Sequence, residues 1–163
     1  MAVNNAYTDD VHVMKEHVEY VFELLKNTLE GITEEELDWR PTEEANNIRW
    51  ILTHISRIYN TTLTGRIGGN PDYIPKNWHR DYEKKHHSLE KLLKDIEIGK
   101  IAVIEGLSDI SKSDLDVEMP LWGGMVKRKF GVFNHISEIA HHKGQIAYIR
   151  GIIKRQKSNA VTS

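Results

Sequence analysis

The chain has 163 residues, of which 39% are hydrophobic and 28% charged, with a formal net charge of -2. That composition fits one folded domain with a real core and excludes a disordered chain. The interspersed charges lack the electrostatic footprint of a nucleic-acid binder, and no apolar run approaches the ~20 residues a membrane helix needs. The opening "MAVNNAYTDD" lacks the basic-then-apolar layout of a signal peptide, so a cytoplasmic location is expected. Cysteine is absent altogether, which excludes disulfides, thiolate metal sites and a cysteine nucleophile. Any metal must then be held by histidines and carboxylates. The nine histidines prompt the search for such a site.

Four helical stretches account for most of the chain. The first runs from about Asp9 to Glu30, where Val11, Met14, Val18, Val21, Leu25 and Leu29 recur at helical spacing, and Gly31 ends it. "TEEELDWRP" opens with a Thr33 to Glu36 capping box and closes at Pro41, which predicts a short helical turn. The second helix starts near Asn46 or Asn47 and reaches Leu63, with Trp50, Ile51, Ile55, Ile58 and Tyr59 on its apolar side. "GRIGGNPDYIP" breaks it; lacking the Gly-Lys-Ser/Thr ending of a phosphate loop, that segment is a connection. A third helix is predicted from about Asn77 to Leu107, with Tyr82, Leu89, Leu93 and Ile96 in register and Gly99 as a weak point. "VEMPLWGGMVKRKF" alternates around Gly123-Gly124 and predicts a β-hairpin. The fourth helix spans about Phe130 to Lys154, leaving 155–163 as a disordered tail after one domain over 1–154. The fold class is therefore all-α, a four-helix bundle with a short hairpin before the last helix.

The last helix carries "EIAHHKGQI", and at roughly 100° per residue its polar groups divide between faces. Gly131, His135, Glu138, Ile139, Gln145, Ile146, Ile149 and Ile153 lie on the side of His142, an apolar stripe facing inward. His141 falls on the flank. A buried carboxylate needs a partner, and Glu138 and His142, four residues apart, can converge on one ion. His54, between Trp50, Ile51 and Ile58 on the second helix, is the candidate third ligand. A hydrogen-bonded core histidine and a buried Glu–His ion pair fit these positions as well. Gln145 suits either a helix-stabilising bond or a contact to a ligand. His135, seven residues from His142, is about 10.5 Å away along the axis, too far for the same ion, and suits a substrate contact at the bundle mouth. His12, His17, His79, His86 and His87 sit among charges and are expected at the surface. Lys127, Arg128 and Lys129 are expected on a solvated face, with attraction of an acidic cofactor as the other reading.

"WRP" at 39–41, "NNIRWILTHI" at 46–55, the hairpin, and "HISEIAHHKGQIAYIRG" at 135–151 resemble, in order and spacing, the DinB/YfiT-like superfamily of helical-bundle metalloproteins. The resemblance implies one divalent ion held by His54, Glu138 and His142. Many relatives have histidine where this chain has Glu138, but the glutamate version is similar to that of mycothiol-dependent maleylpyruvate isomerase. It implies zinc, with nickel, manganese or iron as alternatives, and an S-transferase that activates a low-molecular-weight thiol such as bacillithiol for attack on an electrophile. A hydrolase working through water at the open position is the alternative enzyme.

Two further metal readings fit parts of the sequence. Glu83 to His86 and Glu138 to His141 both spell Glu-x-x-His, but a di-iron bundle also needs glutamates from the other two helices, and residues 47–63 contain no acid. A mononuclear iron oxygenase is compatible with two histidines and a carboxylate. A non-catalytic interaction module is the remaining class. Phe133, Ile136, Ala140, Gly144, Ala147 and Gly151 form a second apolar, small-residue face on the last helix, expected to pack on another helix or a second copy, with a homodimer favoured. No nucleic-acid or membrane partner is expected.

Overall fold

The computed structural model describes residues 10–161. The N-terminal stretch 1–9, which carried the targeting expectation, and the last two residues of the expected tail lie outside them. Helix α1, Asp10–Leu29, buries Val11, Met14, Val18, Val21, Leu25 and Leu29 as its spacing predicts, together with Phe22. Gly31 follows at φ +65°, the left-handed conformation that only glycine adopts without penalty. Helix α2, Glu34–Asp38, is capped by the Thr33 hydroxyl, which accepts from the Glu36 N–H. The reciprocal half of the expected box is not the bond Glu36 makes: its carboxylate accepts from Arg150 Nε at 3.0 Å, tying this turn to the last helix.

Asn47 caps helix α3, Ile48–Arg57, accepting from the Trp50 N–H. The helix then widens into a π-helical segment, Ile58–Leu63, and tightens again into α4, Thr64–Ile67. Side chains explain the widening. Asn60 Nδ2 donates to the Ser56 carbonyl at 2.9 Å and to the Asp95 carbonyl of the facing helix at 2.8 Å. The Thr64 hydroxyl takes the Tyr59 carbonyl at 2.6 Å. Trp50, expected in the core, is 42% exposed; it caps the outer side of His54 instead.

The third helix begins later than its periodicity predicts. Helix α5 is Leu89–Ser108, capped by Ser88, and residues 77–88 form turns around a single 3-10 turn, Tyr82–Lys84. Tertiary contacts override local propensity there. The Tyr82 ring stacks between Trp78 and His87, and its hydroxyl donates to Asp95 at 2.6 Å. His87 is consequently buried at 5% exposure, its Nε2 at 2.8 Å from the Tyr82 carbonyl, which corrects its expected surface position. Its own carbonyl accepts from Arg49. Leu93, expected in register with the core, is exposed. Helix α5 runs unbroken through Gly99, which is buried against the π-helical segment, where an added Cβ would lie 2.6 Å from Tyr59 Cβ and 2.7 Å from Asn60 Nδ2.

A short helix that periodicity misses, α6 at Lys112–Leu115, opens with a full Ser111–Asp114 capping box. Strands β1, Glu118–Leu121, and β2, Gly124–Lys127, pair antiparallel from Glu118↔Lys127 to Leu121↔Gly124. Their turn is Trp122-Gly123 rather than Gly123-Gly124; both residues have positive φ, 50° and 81°, as a tight primed hairpin turn requires. Helix α7, Arg128–Val161, runs past Lys154 through the segment expected as a tail.

Four long elements build the bundle. Helix α1 packs on α5 and α7, and the α3 element packs on the same two helices. The core is lined with isoleucine and leucine from all four. The second face of α7 divides. Ile136 and Ala140 pack inward, whereas Phe133, Gly144 and Ala147 remain exposed, with the Phe133 and His17 rings edge to face at 5.5 Å. No helix among the described residues is long and apolar enough to cross a membrane.

Candidate metal centre

Where α3 crosses α7, one donor atom from each of His54, Glu138 and His142 lies within 4.8 Å of the other two. His54 comes from the middle of α3; Glu138 and His142 are one turn apart on the inward stripe of α7. His54 Nε2 is 3.2 Å from Glu138 Oε1, and His142 Nε2 is 3.9 Å from the same oxygen. The two imidazoles meet edge to face with centroids 4.8 Å apart. Tetrahedral bonds of ~2.0–2.1 Å place donors roughly 3.3 Å apart, so the trio needs only a small contraction to grip an ion. Two nitrogens and one carboxylate are a borderline-soft set suited to zinc and neighbouring divalent metals.

The outer edges of both rings are held. His142 Nδ1 lies 2.8 Å from Gln145 Oε1. An amide oxygen only accepts, so Nδ1 carries the proton and the Nε2 lone pair faces Glu138. Burial, the dominant effect, holds the His142 imidazole below the ordinary histidine range, in the neutral form that ligates. His54 Nδ1 lies 3.4 Å from Glu83 Oε1, and Arg57 Nε donates to that same oxygen at 2.9 Å. Trp50 stacks on the face of His54 at 5.2 Å and 9°. Glu138 keeps 34% of its side chain exposed, so the centre is open to solvent on that side.

The other sequence candidates fall around this centre. Gln145 is an orienting partner of His142, and it also reaches His141 Nε2 at 3.2 Å, leaving His141 outside the trio. His135 is buried one turn before Glu138, its Nδ1 donating to the Gly131 carbonyl at 2.6 Å and its ring parallel to Trp122 at the hairpin tip, 6.4 Å away. Desolvation lowers its pKa below the ordinary histidine value, so it is held neutral with Nε2 unprotonated. In the sequence, Glu83 stands out only as part of a Glu-x-x-His pattern. Its role behind His54 comes from the irregular 77–88 segment, which no periodicity reveals. Lys127 and Lys129 both pair with Asp116, and Arg128 donates to the Ile67 carbonyl; these are structural ties.

Comparison with known proteins supports this architecture. No curated protein matches the sequence. A crystal structure of a conserved protein from Enterococcus faecalis superposes with a TM-score of 0.67 over 85% of this chain and 93% of that one, at 16% identity, a likeness of fold. The family model for the DinB superfamily matches residues 17–146, a span that includes all three converging side chains and the hairpin. The chain belongs to the DinB superfamily.

Proposed function

We propose that the protein is a divalent-metal-dependent S-transferase, with His54, Glu138 and His142 holding the ion, zinc by preference, and a low-molecular-weight thiol such as bacillithiol as cosubstrate. The observation that carries this reading is the convergence of two imidazoles and one carboxylate on a common point, with the His142 ring already oriented from behind by Gln145. Three protein donors leave a position for an exogenous group, the arrangement of catalytic rather than structural sites. A divalent ion there supplies Lewis acidity, lowering the pKa of a thiol or water that reaches it. With no cysteine in the chain, the sulfur must come from outside.

The protein's own groups then have distinct tasks. Gln145 keeps the His142 tautomer; Glu83, gripped by Arg57, fixes the His54 ring; Glu138 contributes the negative charge that offsets the cation. His135 Nε2 is an unprotonated acceptor near Glu138 and suits receipt of the thiol proton as sulfur bonds to the electrophilic carbon and the leaving group departs with its electron pair. Hydrolysis by an activated water uses the same open position and is the alternative chemistry. The exposed Phe133, Gly144 and Ala147 on α7 support a homodimer contact.

The test combines metal analysis with turnover. Protein purified without chelator should carry about one divalent ion per chain, and His54→Ala should lose both the ion and thiol transfer to a generic electrophile. Transfer that continues at the original rate in metal-free His54→Ala refutes the proposal. Turnover of esters or amides without any thiol would favour the hydrolase instead.

A further inference from the structure

Behind His54, a cavity of about 350 Å3 opens between the π-helical segment and the 71–80 loop. Arg57, Thr61 and Thr62 form one wall, and Asp72, Trp78 and Arg80 belong to the other. Arg57 joins this cavity to the metal centre. Its Nε donates to Glu83, its Nη1 donates to the Thr62 hydroxyl at 3.0 Å, and its Nη2 lies 3.4 Å from His54 Nδ1.

The charge balance on the wall is positive. Arg80 is exposed, with no hydrogen bond or ion pair among the described residues. Asp72 is the only acid among the lining residues, and its carboxylate has Arg66 as a cationic neighbour. Arg66 itself leaves Nε and Nη1 buried without an acceptor. Pro71, Tyr73, Ile74 and Trp78 give the lining an apolar and aromatic part, to which Arg57, Arg80 and the two threonines add a few polar groups, the usual make-up of a small-molecule site. Guanidinium forks select carboxylate and phosphate geometry over neutral groups.

We propose that this cavity binds a small molecule bearing a carboxylate or phosphate, received by Arg80 and Arg57, and that occupancy draws Arg57 from Glu83 and thereby alters how His54 is held. The second half rests on the metal reading above; the first half does not. Because binding free energies are linked, a ligand that changes the metal affinity must have its own affinity changed by the metal to the same extent.

The full chain as purified is titrated at constant ionic strength with inorganic phosphate and, separately, with succinate, following the arginine Nε–H resonances. Saturable shifts at Arg57 and Arg80 are expected, and the response to each anion tells phosphate from carboxylate recognition. Arg80→Ala, a change at an exposed and unpartnered residue, should weaken binding roughly tenfold or more, the scale of hydrogen bonds to a charged group. Absence of saturation, or equal shifts in Arg80→Ala, overturns the site. Zinc titrations with and without the bound anion then test the coupling: affinities should differ several-fold in the wild type and agree in Arg80→Ala. Equal zinc affinities in the wild type refute the coupling. Absence of zinc binding under every condition refutes the metal reading and the coupling with it, while the phosphate and succinate titrations still decide the cavity.

Discussion

Gly99→Ala separates two accounts of the same residue by sign. In a helix seen alone, replacing a central glycine with alanine stabilises by about 1 kcal/mol. In the folded protein the new methyl would lie 2.6 Å from Tyr59 Cβ and 2.7 Å from Asn60 Nδ2, both well inside van der Waals contact. Tyr59 is fully buried and cannot swing aside, so overpacking should cost about 1–3 kcal/mol. Displacing Asn60 also threatens its bond to the Asp95 carbonyl, a further loss of about 1 kcal/mol. The net expectation is destabilisation of about 1–3 kcal/mol, a Tm lowered by roughly 2–4 °C for each kcal/mol in a chain of this size. Thermal unfolding followed by circular dichroism measures it. A Tm equal to or above that of the wild type would show that α5 and the π-helical segment are not in the contact described, and the explanation of the widened helix would fall with it.

Gln145→Leu keeps the volume but removes the acceptor of His142 Nδ1; zinc affinity should fall roughly tenfold or more, as for other outer partners of metal ligands, and competition with a chromogenic chelator reads it. Arg49→Met strips a buried guanidinium from Asp38, Glu34 and the His87 carbonyl; urea unfolding should show a loss of about 2 kcal/mol, below the value for a fully buried pair because both acids can hydrate. The hydrogen bond from Arg49 holds the Asp38 carboxyl below its ordinary value of 3.8. A depressed folded pKa means that this stabilisation is complete above the ordinary value and lost as pH falls through the folded one, so the Arg49→Met deficit should shrink in acid; a deficit constant with pH refutes the pairing. For His135 the burial-lowered pKa has the opposite charge logic: the unfolded chain takes up a proton near pH 6.5 before the folded one does. Stability of metal-free protein should therefore decline as pH drops below about 6.5, and less so in His135→Gln; identical pH profiles for the two proteins would refute it.

The α7 half of the centre was legible because a helix converts spacing into direction: Glu138 and His142 one turn apart, on a stripe completed by Ile139, Ile146, Ile149 and Ile153, must share a face, and all four isoleucines are buried. His54 was legible for the same reason on α3. Periodicity could not show what meets those faces from elsewhere in the chain. Glu83 reaches His54 across 29 positions from a segment whose pattern resembles a helix but whose backbone is bent by the Trp78–Tyr82–His87 stack and by Arg49. Trp50 has the apolar character of a core residue, yet its place is decided by the His54 ring on which it stacks. Side-chain direction within one helix follows from covalent geometry and is written locally; the partner that each direction finds depends on packing between distant segments, and only the tertiary structure decides it.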